Sequence, residues 1–217
     1  MAEYEIPPEE YNFECVLPPN DETSEWHELP EYLSAKQRCE NLIHRGPKKS
    51  GGHHHSIEVI DHDREIGSPS IELLGDSEIT WNLEATGNVP ILRYLTLHLK
   101  ELDKFLSFEV TVLDEEMKVR VLKVGNKRSH CVISNEKKLD ESGNEFEYSV
   151  CVLPLFIKRG WQMTCLDLVD ICKNAFGTEK PNTLSITVRG ECKVSKIFFH
   201  NERYSDAEMP PHLRCVG

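Results

Sequence analysis

Hydrophobic and polar residues alternate along much of this chain from residue 56 onward. The segments Leu95–Lys100 (LTLHLK), Phe108–Val112 (FEVTV) and Leu184–Arg189 (LSITVR) each place every second apolar side chain on one side. A period of two is typical of a β-strand with one face buried and one face in solvent. The C-terminal two-thirds of the chain is therefore predicted to fold around β-strands.

Two of these strands are predicted to turn back on themselves. Phe108–Val121 is interrupted by the polar turn Asp114–Glu116, and Leu184–Phe199 is interrupted by Gly190-Glu191. Strand, polar turn and return strand are the pattern of an antiparallel hairpin. We therefore expect sequential strands to pair in an antiparallel sheet.

The remaining pattern predicts an all-β fold with one short helix. The helix begins after Asp167, a capping residue, and ends at Gly177. The polar segment Asn135–Glu147 predicts a long surface loop between two strands. Many short strands and one helix favour an antiparallel β-sandwich or jelly-roll-like domain over residues 53–217. Further strands are predicted at Ile71–Leu74, Ile79–Leu83, Tyr148–Pro154 and Trp161–Asp167.

Residues 1–52 differ in composition and predict an extended or disordered acidic tail. The first 50 residues hold eleven acidic and five basic side chains, a net charge of -6 out of -12 for the chain, together with several prolines. Such a segment buries too little apolar area to offset its ordering entropy. A possible exception is Ser34–His44, whose apolar residues fall on one side of a helix ended by Gly46-Pro47.

Isolated apolar residues interrupt the acidic tail. Tyr11, Phe13 and Trp26 are spaced along it and predict anchors on the surface of a partner. The alternative is a tail that folds back on its own domain.

Net charge, hydrophobicity and cysteine usage argue against several classes of protein. A net charge of -12 argues against nucleic-acid binding through a broad basic surface. The N-terminus lacks the apolar stretch of a signal peptide, and no segment has the length and hydrophobicity of a membrane span. We therefore expect cytoplasmic synthesis, no membrane association, and eight cysteines that remain reduced.

Candidate catalytic and metal-binding residues do not form convincing sets. His53–His55 and His62 are adjacent or near-adjacent histidines rather than the spaced ligands of a structural zinc site. The carboxylate pairs Glu115-Glu116 and Asp140-Glu141 lie in predicted turns, where solvation is the simpler explanation. No cysteine is paired with a histidine as a nucleophile would be, and no glycine-rich phosphate loop is present. The expectation is a protein that is not an enzyme and has no cofactor or metal.

Two basic turns predict a docking surface for an acidic partner. One contains Lys123, Lys127 and Arg128, and the other contains Lys158-Arg159. Complementary charge steers the encounter of two proteins. The alternative is that both are ordinary solvated loops.

Four segments resemble the cilia- and flagella-associated protein 20 family. They are FLSFEVTVLD at 105–114, RGWQMTCLDL at 159–168, AFGT at 175–178 and CKVSKIFFHNERYSDAEMP at 192–210. The most specific match is Arg203–Pro210 (RYSDAEMP), which corresponds to the family's LYSEDELP nearly position by position. The similarity extends over about residues 53–213.

The resemblance implies a non-enzymatic β-sandwich at the inner junction of ciliary doublet microtubules, where the B-tubule closes onto the A-tubule. It implies tubulin and neighbouring inner-junction proteins as partners, an axonemal location and a role in motility. It also adds Arg203 and Tyr204 as candidate partner-binding residues. The chain departs from the family in its acidic tail, which replaces a short hydrophobic N-terminal strand, and in a longer Asn135–Glu147 segment.

A second class of function remains open from the residues alone. Jelly-roll sandwiches often bind carbohydrates through exposed aromatic side chains, and Trp81 and Trp161 are the candidates here. Both lie in predicted strands, where packing in the core is the better explanation.

Overall fold

A computed structural model describes residues 13–17, 56–83, 92–139, 143, 145–179 and 181–214. The described residues form ten β-strands and one α-helix, with two short 3-10 turns near the C-terminus. The strands are β1 (Phe13–Leu17), β2 (Ser56–Asp63), β3 (Ser68–Leu74), β4 (Glu78–Asn82), β5 (Tyr94–Leu113), β6 (Val119–Gly125), β7 (Val132–Leu139), β8 (Glu145–Pro154), β9 (Gly160–Asp167) and β10 (Asn182–His200), and the helix is α1 (Leu168–Phe176).

Two long strands, β5 and β10, form the centre of the fold. They pair antiparallel from Asn182 opposite Leu113 to His200 opposite Tyr94. The predicted turn at Gly190-Glu191 is wrong, because the chain continues there as one strand with an irregularity between Gly190 and Cys192. A glycine in the sequence predicts a turn because glycine tolerates a positive φ. The same tolerance permits a β-bulge within a continuous strand.

The two halves of these long strands have different neighbours. The first half of β5 pairs with β9 and the second half pairs with β6. Likewise, β10 pairs with β4 before its bulge, and with β3 and β1 after it. Inward-facing residues of both halves, such as Leu97 and Val110, belong to one hydrophobic core. The predicted sandwich is thus confirmed as a bent sheet whose two parts share a core.

One pairing departs from the antiparallel pattern. Strands β6 and β8 run parallel, from Arg120 opposite Ser149 to Gly125 opposite Pro154. All other strand pairs among the described residues are antiparallel. Because parallel neighbours end at the same edge, this pair places the segments that follow β6 and β8 side by side.

The predicted loop Asn135–Glu147 is wrong. Strands β7 and β8 instead form a hairpin that pairs out to Leu139 opposite Glu145. On this hairpin Ile133, Phe146 and several polar side chains are exposed, and β7 lies at the end of the sheet order. Alternation of apolar and polar residues is produced by a buried face, so a strand exposed on both faces lacks that signal.

The helix has the predicted ends. The Asp167 carboxylate accepts a hydrogen bond from the backbone N–H of Asp170 at 3.0 Å, and Gly177 adopts a left-handed conformation (φ 76°). The buried residues Leu168 and Cys172 face the core.

Part of the predicted acidic tail belongs to the sheet. Strand β1 pairs with the end of β10, with Phe13 opposite His200 and Cys15 opposite Phe198. For residues 13–17, therefore, the alternative of a tail folded back on its own domain is the one observed. The predicted helix Ser34–His44 lies outside the described residues.

Candidate partner-binding surface

Three segments meet at the edge where the parallel strands end. The backbone N–H of Leu155, just after β8, donates to the carbonyl of Gly125 at 2.9 Å. The Asn126 side chain then donates to the carbonyl of Lys104 at 2.6 Å and accepts from the backbone N–H of Leu106 at 3.1 Å. These bonds join the turn after β6, the loop after β8 and the middle of β5. We call the resulting surface the basic edge; it comprises Lys104, Phe105, Lys127, Arg128, Phe156, Lys158 and Arg159.

Backbone packing against β10 holds the β5 segment of the basic edge in place. Gly190 has a φ of 107°, and a Cβ added there would lie 2.1 Å from the Phe105 carbonyl oxygen. Close approach of two backbones requires glycine at this position. Asp103, two residues earlier, also has a positive φ of 60°. The bulge therefore turns Lys104 and Phe105 outward, where both are exposed.

The basic edge carries a surplus of positive charge. Arg159 forms a 3.0 Å ion pair with Asp103, with both side chains largely exposed (84% and 60%). Exposed pairs of this kind stabilise proteins little, so Arg159 is available to a competing carboxylate. Lys104, Lys127, Arg128 and Lys158 are exposed and form no ion pair within the described part of the chain.

Two phenylalanines add exposed apolar area beside the charged side chains of the basic edge. The Phe156 side chain is 83% exposed and Phe105 is 43% exposed. Large aromatic side chains and arginine are enriched at protein–protein interfaces. Neither residue was predicted from the sequence, although Phe156 lies two residues before the predicted Lys158-Arg159 turn.

Lys123 does not belong to the basic edge. Its ammonium group donates to Glu136 Oε2 at 3.0 Å, and Tyr148 donates to the same oxygen at 2.9 Å. The hydrogen bond from Lys123, followed by that from Tyr148, lowers the pKa of the Glu136 carboxyl. Lys123 is thus engaged within the sheet, whereas the other predicted cations project from its edge.

The predicted anchor Phe13 and the candidate partner-binding residue Tyr204 pack against each other, and both are partly buried. The Phe13 ring lies 5.1 Å from the Tyr204 ring and 6.1 Å from the Phe198 ring, measured between centroids. Phe198 forms a second hydrophobic cluster with Met209 and Leu213, on the face of β10 opposite the main core. Phe13 and Tyr204 pack against that cluster. Of the other predicted contacts, Arg203 is exposed, while Tyr11 and Trp26 lie outside the described residues.

The C-terminal segment packs over this second cluster and is fixed there by hydrogen bonds. Ser205 and Glu208 form a capping box, in which the Ser205 backbone N–H donates to Glu208 Oε2 at 2.8 Å. Arg214 donates from Nε to the Met209 carbonyl at 2.9 Å, and the Lys196 ammonium donates to the Arg214 carbonyl. The Arg203–Pro210 motif therefore covers the outer face of β10.

Buried histidines also have structural partners. The hydroxyl of Thr96 lies 2.8 Å from His200 Nε2, and the Trp161 ring packs against the His98 ring at a 45° tilt with centroids 4.8 Å apart. Burial lowers the pKa of His98 to about 4, with a smaller contribution from Lys196, so this ring is neutral at pH 7. Trp81 is 7% exposed and belongs to the main core, and Trp161 is half-buried against His98.

Within the described ranges, no three or more histidine, cysteine, aspartate or glutamate side chains converge as metal ligands. His62 is exposed on β2, and His53–His55 lie outside those ranges. No described helix has the length and hydrophobicity needed to span a membrane.

Comparison with known proteins identifies the family. A profile of the CFA20 domain matches residues 56–217. The chain belongs to the CFA20 domain family. Cilia- and flagella-associated protein 20 of Chlamydomonas reinhardtii is 29% identical over 157 residues, covering 70% of this chain and 76% of the relative. The proteins of the same name from Paramecium tetraurelia and Caenorhabditis elegans are 27% and 24% identical, covering 75% and 71% of those relatives and 70% of this chain.

Solved structures give only a distant likeness. A loop-swap mutant of the Xyn11A xylanase from Necallimastix patriciarum has a TM-score of 0.35 at 8% identity, over 72% of this chain and 90% of that one. The family 11 xylanase from Neocallimastix patriciarum has a TM-score of 0.33 at 9% identity, over 70% of this chain and 97% of the other. A likeness at this level indicates nothing about activity.

Proposed function

We propose that this CFA20-domain protein is a non-enzymatic structural component of ciliary and flagellar doublet microtubules. In this role it stabilises the inner junction between the A- and B-tubules and supports motility. The relatives named cilia- and flagella-associated protein 20 support the association with cilia and flagella. The single structural observation that supports a docking role is the basic edge, where four cations form no ion pair with other described residues and Phe156 is exposed.

The basic edge suits an acidic partner surface such as that of tubulin. Lys127, Arg128 and Lys158 supply charge on short connections, and these connections are anchored by backbone hydrogen bonds to Gly125. Anchored loops lose less conformational entropy on binding than free ones. Phe156 supplies the apolar contact that charge alone lacks. The acidic N-terminal tail should avoid tubulin and contact a neighbouring inner-junction protein instead.

Co-sedimentation with salt-extracted doublet microtubules tests this proposal. Reversal of three cations at the basic edge (Lys127→Glu, Arg128→Glu, Lys158→Glu) should weaken binding by about ten- to a hundredfold, which corresponds to roughly 1.4–2.8 kcal/mol. The loss should shrink as ionic strength rises, because screening weakens exposed charge interactions.

A matched control carries the same change in net charge on other surfaces. Lys118, Lys137 and Lys173 are similarly exposed (59%, 62% and 61%), and each forms a surface ion pair. Reversing all three should leave binding within about threefold of the wild type, since exposed pairs contribute little. Equal loss in both triple variants would show that net charge, not the basic edge, governs binding.

Cryo-electron microscopy of doublet microtubules from motile cilia tests the location. Density for this chain should lie at the inner junction, with the basic edge facing an acidic surface. Density elsewhere on the doublet, or none on doublets from cells that express the protein, would contradict the proposed role.

A further inference from the structure

Two thiols contact each other where the β7–β8 hairpin begins. Cys131 Sγ lies 3.7 Å from Cys151 Sγ, and both cysteines are free. Cys131 is exposed and directly follows the turn that carries Lys127 and Arg128, whereas Cys151 is 1% exposed in β8. The proposed docking role uses neither sulfur.

We propose that Cys131 and Cys151 form a reversible disulfide when the protein meets a peroxide. A disulfide requires a sulfur–sulfur distance of about 2.05 Å, so the two atoms must approach by roughly 1.7 Å. Cys131 precedes the first paired residue of β7, which is Val132 opposite Val152. Its backbone lies outside the ladder and can make this small shift without breaking a strand pair.

The surroundings assign different roles to the two thiols. Burial, and then contact with Cys131, raises the pKa of Cys151 to about 12, so Cys151 stays protonated. Cys151 Sγ lies 3.7 Å from Cys131 Sγ, so its S–H can donate to that sulfur. Cys131 is also the sulfur that solvent reaches. Cys131 is therefore the attacking sulfur and Cys151 the resolving one.

The reaction proceeds in two balanced steps. The Cys131 thiolate attacks hydrogen peroxide, the O–O bond breaks, and Cys131 becomes a sulfenic acid while hydroxide leaves and takes up the proton released by the thiol. Cys151 then attacks the Cys131 sulfur, the S–O bond breaks, and oxygen leaves as water with the Cys151 proton. Overall, two thiols lose two hydrogens and one peroxide becomes two waters.

The new bond would restrain the turn that carries part of the basic edge. The turn starts at Gly125, which the Leu155 N–H already holds beside β8 at 2.9 Å. A bond from Cys131 to Cys151 would tie the other end of the turn to the same strand. Amide hydrogen exchange between residues 126 and 130 should therefore slow at least threefold on oxidation.

Peroxide titration of the full chain tests the proposal. Purified reduced protein is exposed to hydrogen peroxide, alkylated, and examined by intact mass and by peptide mapping. We expect loss of two hydrogens, a bridged peptide containing Cys131 and Cys151, and full reversal by dithiothreitol. Cys165 is the internal comparison, because it is exposed and its sulfur lies 4.0 Å from His200 Nε2.

Matched variants separate this site from general oxidation. Cys131→Ser should abolish the bridged peptide with an unchanged melting curve, and Cys165→Ser should retain it. The proposal is overturned if both thiols still alkylate at peroxide concentrations that oxidise Cys165. It is equally overturned if Cys131 accumulates as sulfinic acid while Cys151 stays reduced. Unchanged exchange at residues 126–130 in a fully bridged sample would overturn the proposed restraint of the turn.

Discussion

Replacing Gly190 by alanine should destabilise the domain far more than the same change at another glycine with positive φ. The added Cβ would lie 2.1 Å from the Phe105 carbonyl oxygen, so one of the two long strands must move. Overpacking of this kind costs about 1–3 kcal/mol. A φ of 107° adds roughly 1–3 kcal/mol for a residue with a side chain. We expect a total loss of about 4 kcal/mol in the free energy of unfolding.

Gly177 provides the matched control. It also has a positive φ, 76°, but an added Cβ would meet nothing within 4 Å. Gly177→Ala should therefore lower the free energy of unfolding only by the strain of a positive φ, about 1–2 kcal/mol. Urea denaturation of both variants measures the difference, which we expect to be about 2–3 kcal/mol. For a domain of this size, that difference corresponds to a melting temperature lower by roughly 4–12 °C.

A second readout links the bulge to the basic edge. Moving the Phe105 backbone would displace Lys104 and the bonds that Asn126 makes to this segment. Gly190→Ala should therefore also weaken doublet binding under conditions in which the variant is still folded. Equal destabilisation by the two alanine variants would refute the argument that backbone contact at Gly190 shapes this region.

Three further predictions concern other parts of the domain. Burial opposes ionisation of Asp114, but hydrogen bonds from the Lys118 and Glu116 backbones and from Arg120 outweigh it and lower the pKa of this carboxyl. The contribution of Asp114 to the free energy of unfolding is thus present above about pH 4 and is lost as the pH falls through the lowered pKa. Asp114→Asn should therefore remove roughly 3 kcal/mol at pH 7 and flatten the acid branch of a stability–pH curve. Met209→Ala should cost about 2–3 kcal/mol and expose residues 201–214 to limited proteolysis before global unfolding, because Met209 is 5% exposed in the outer cluster. Phe156→Ser should change stability by less than about 0.5 kcal/mol in urea denaturation yet reduce doublet co-sedimentation several-fold, and a large loss of stability would show that Phe156 packs in the fold.

The motif that most resembles the family has a structural role in this protein. Arg203–Pro210 covers the outer cluster around Phe198, and its Ser205–Glu208 capping box fixes the turn. Burial of each large side chain in such a cluster stabilises by roughly 1.5–3 kcal/mol. Tyr204 is therefore explained by packing against Phe13, whereas the exposed Arg203 stays a candidate for partner contact.

Local patterns in the sequence were enough to predict most strands and the helix. Alternation over Leu95–Lys100 and Phe108–Val112 indicated strands, and Asp167 and Gly177 marked the helix ends. The half-buried character predicted for Leu95–Lys100 is wrong, because Thr96 and His98 on its polar face are buried as well. Such patterns succeed because burial of one face and capping of free backbone groups are local requirements. They failed at Gly190, where a bulge and a turn call for the same residue type, and over Asn135–Glu147, where a strand exposed on both faces has no alternation to detect.

The alternating pattern of the chain determined an all-β domain, and the basic turns at Lys127-Arg128 and Lys158-Arg159 were visible in the sequence as candidates for a docking surface. Only the tertiary structure placed both turns at one edge, because the parallel pairing of β6 with β8 depends on which strands become neighbours. Alternation specifies which face of a strand is buried but not its neighbour in the sheet. For the same reason the exposure of Phe156 and the packing of Tyr204 against Phe13 emerged only once the strands were assembled.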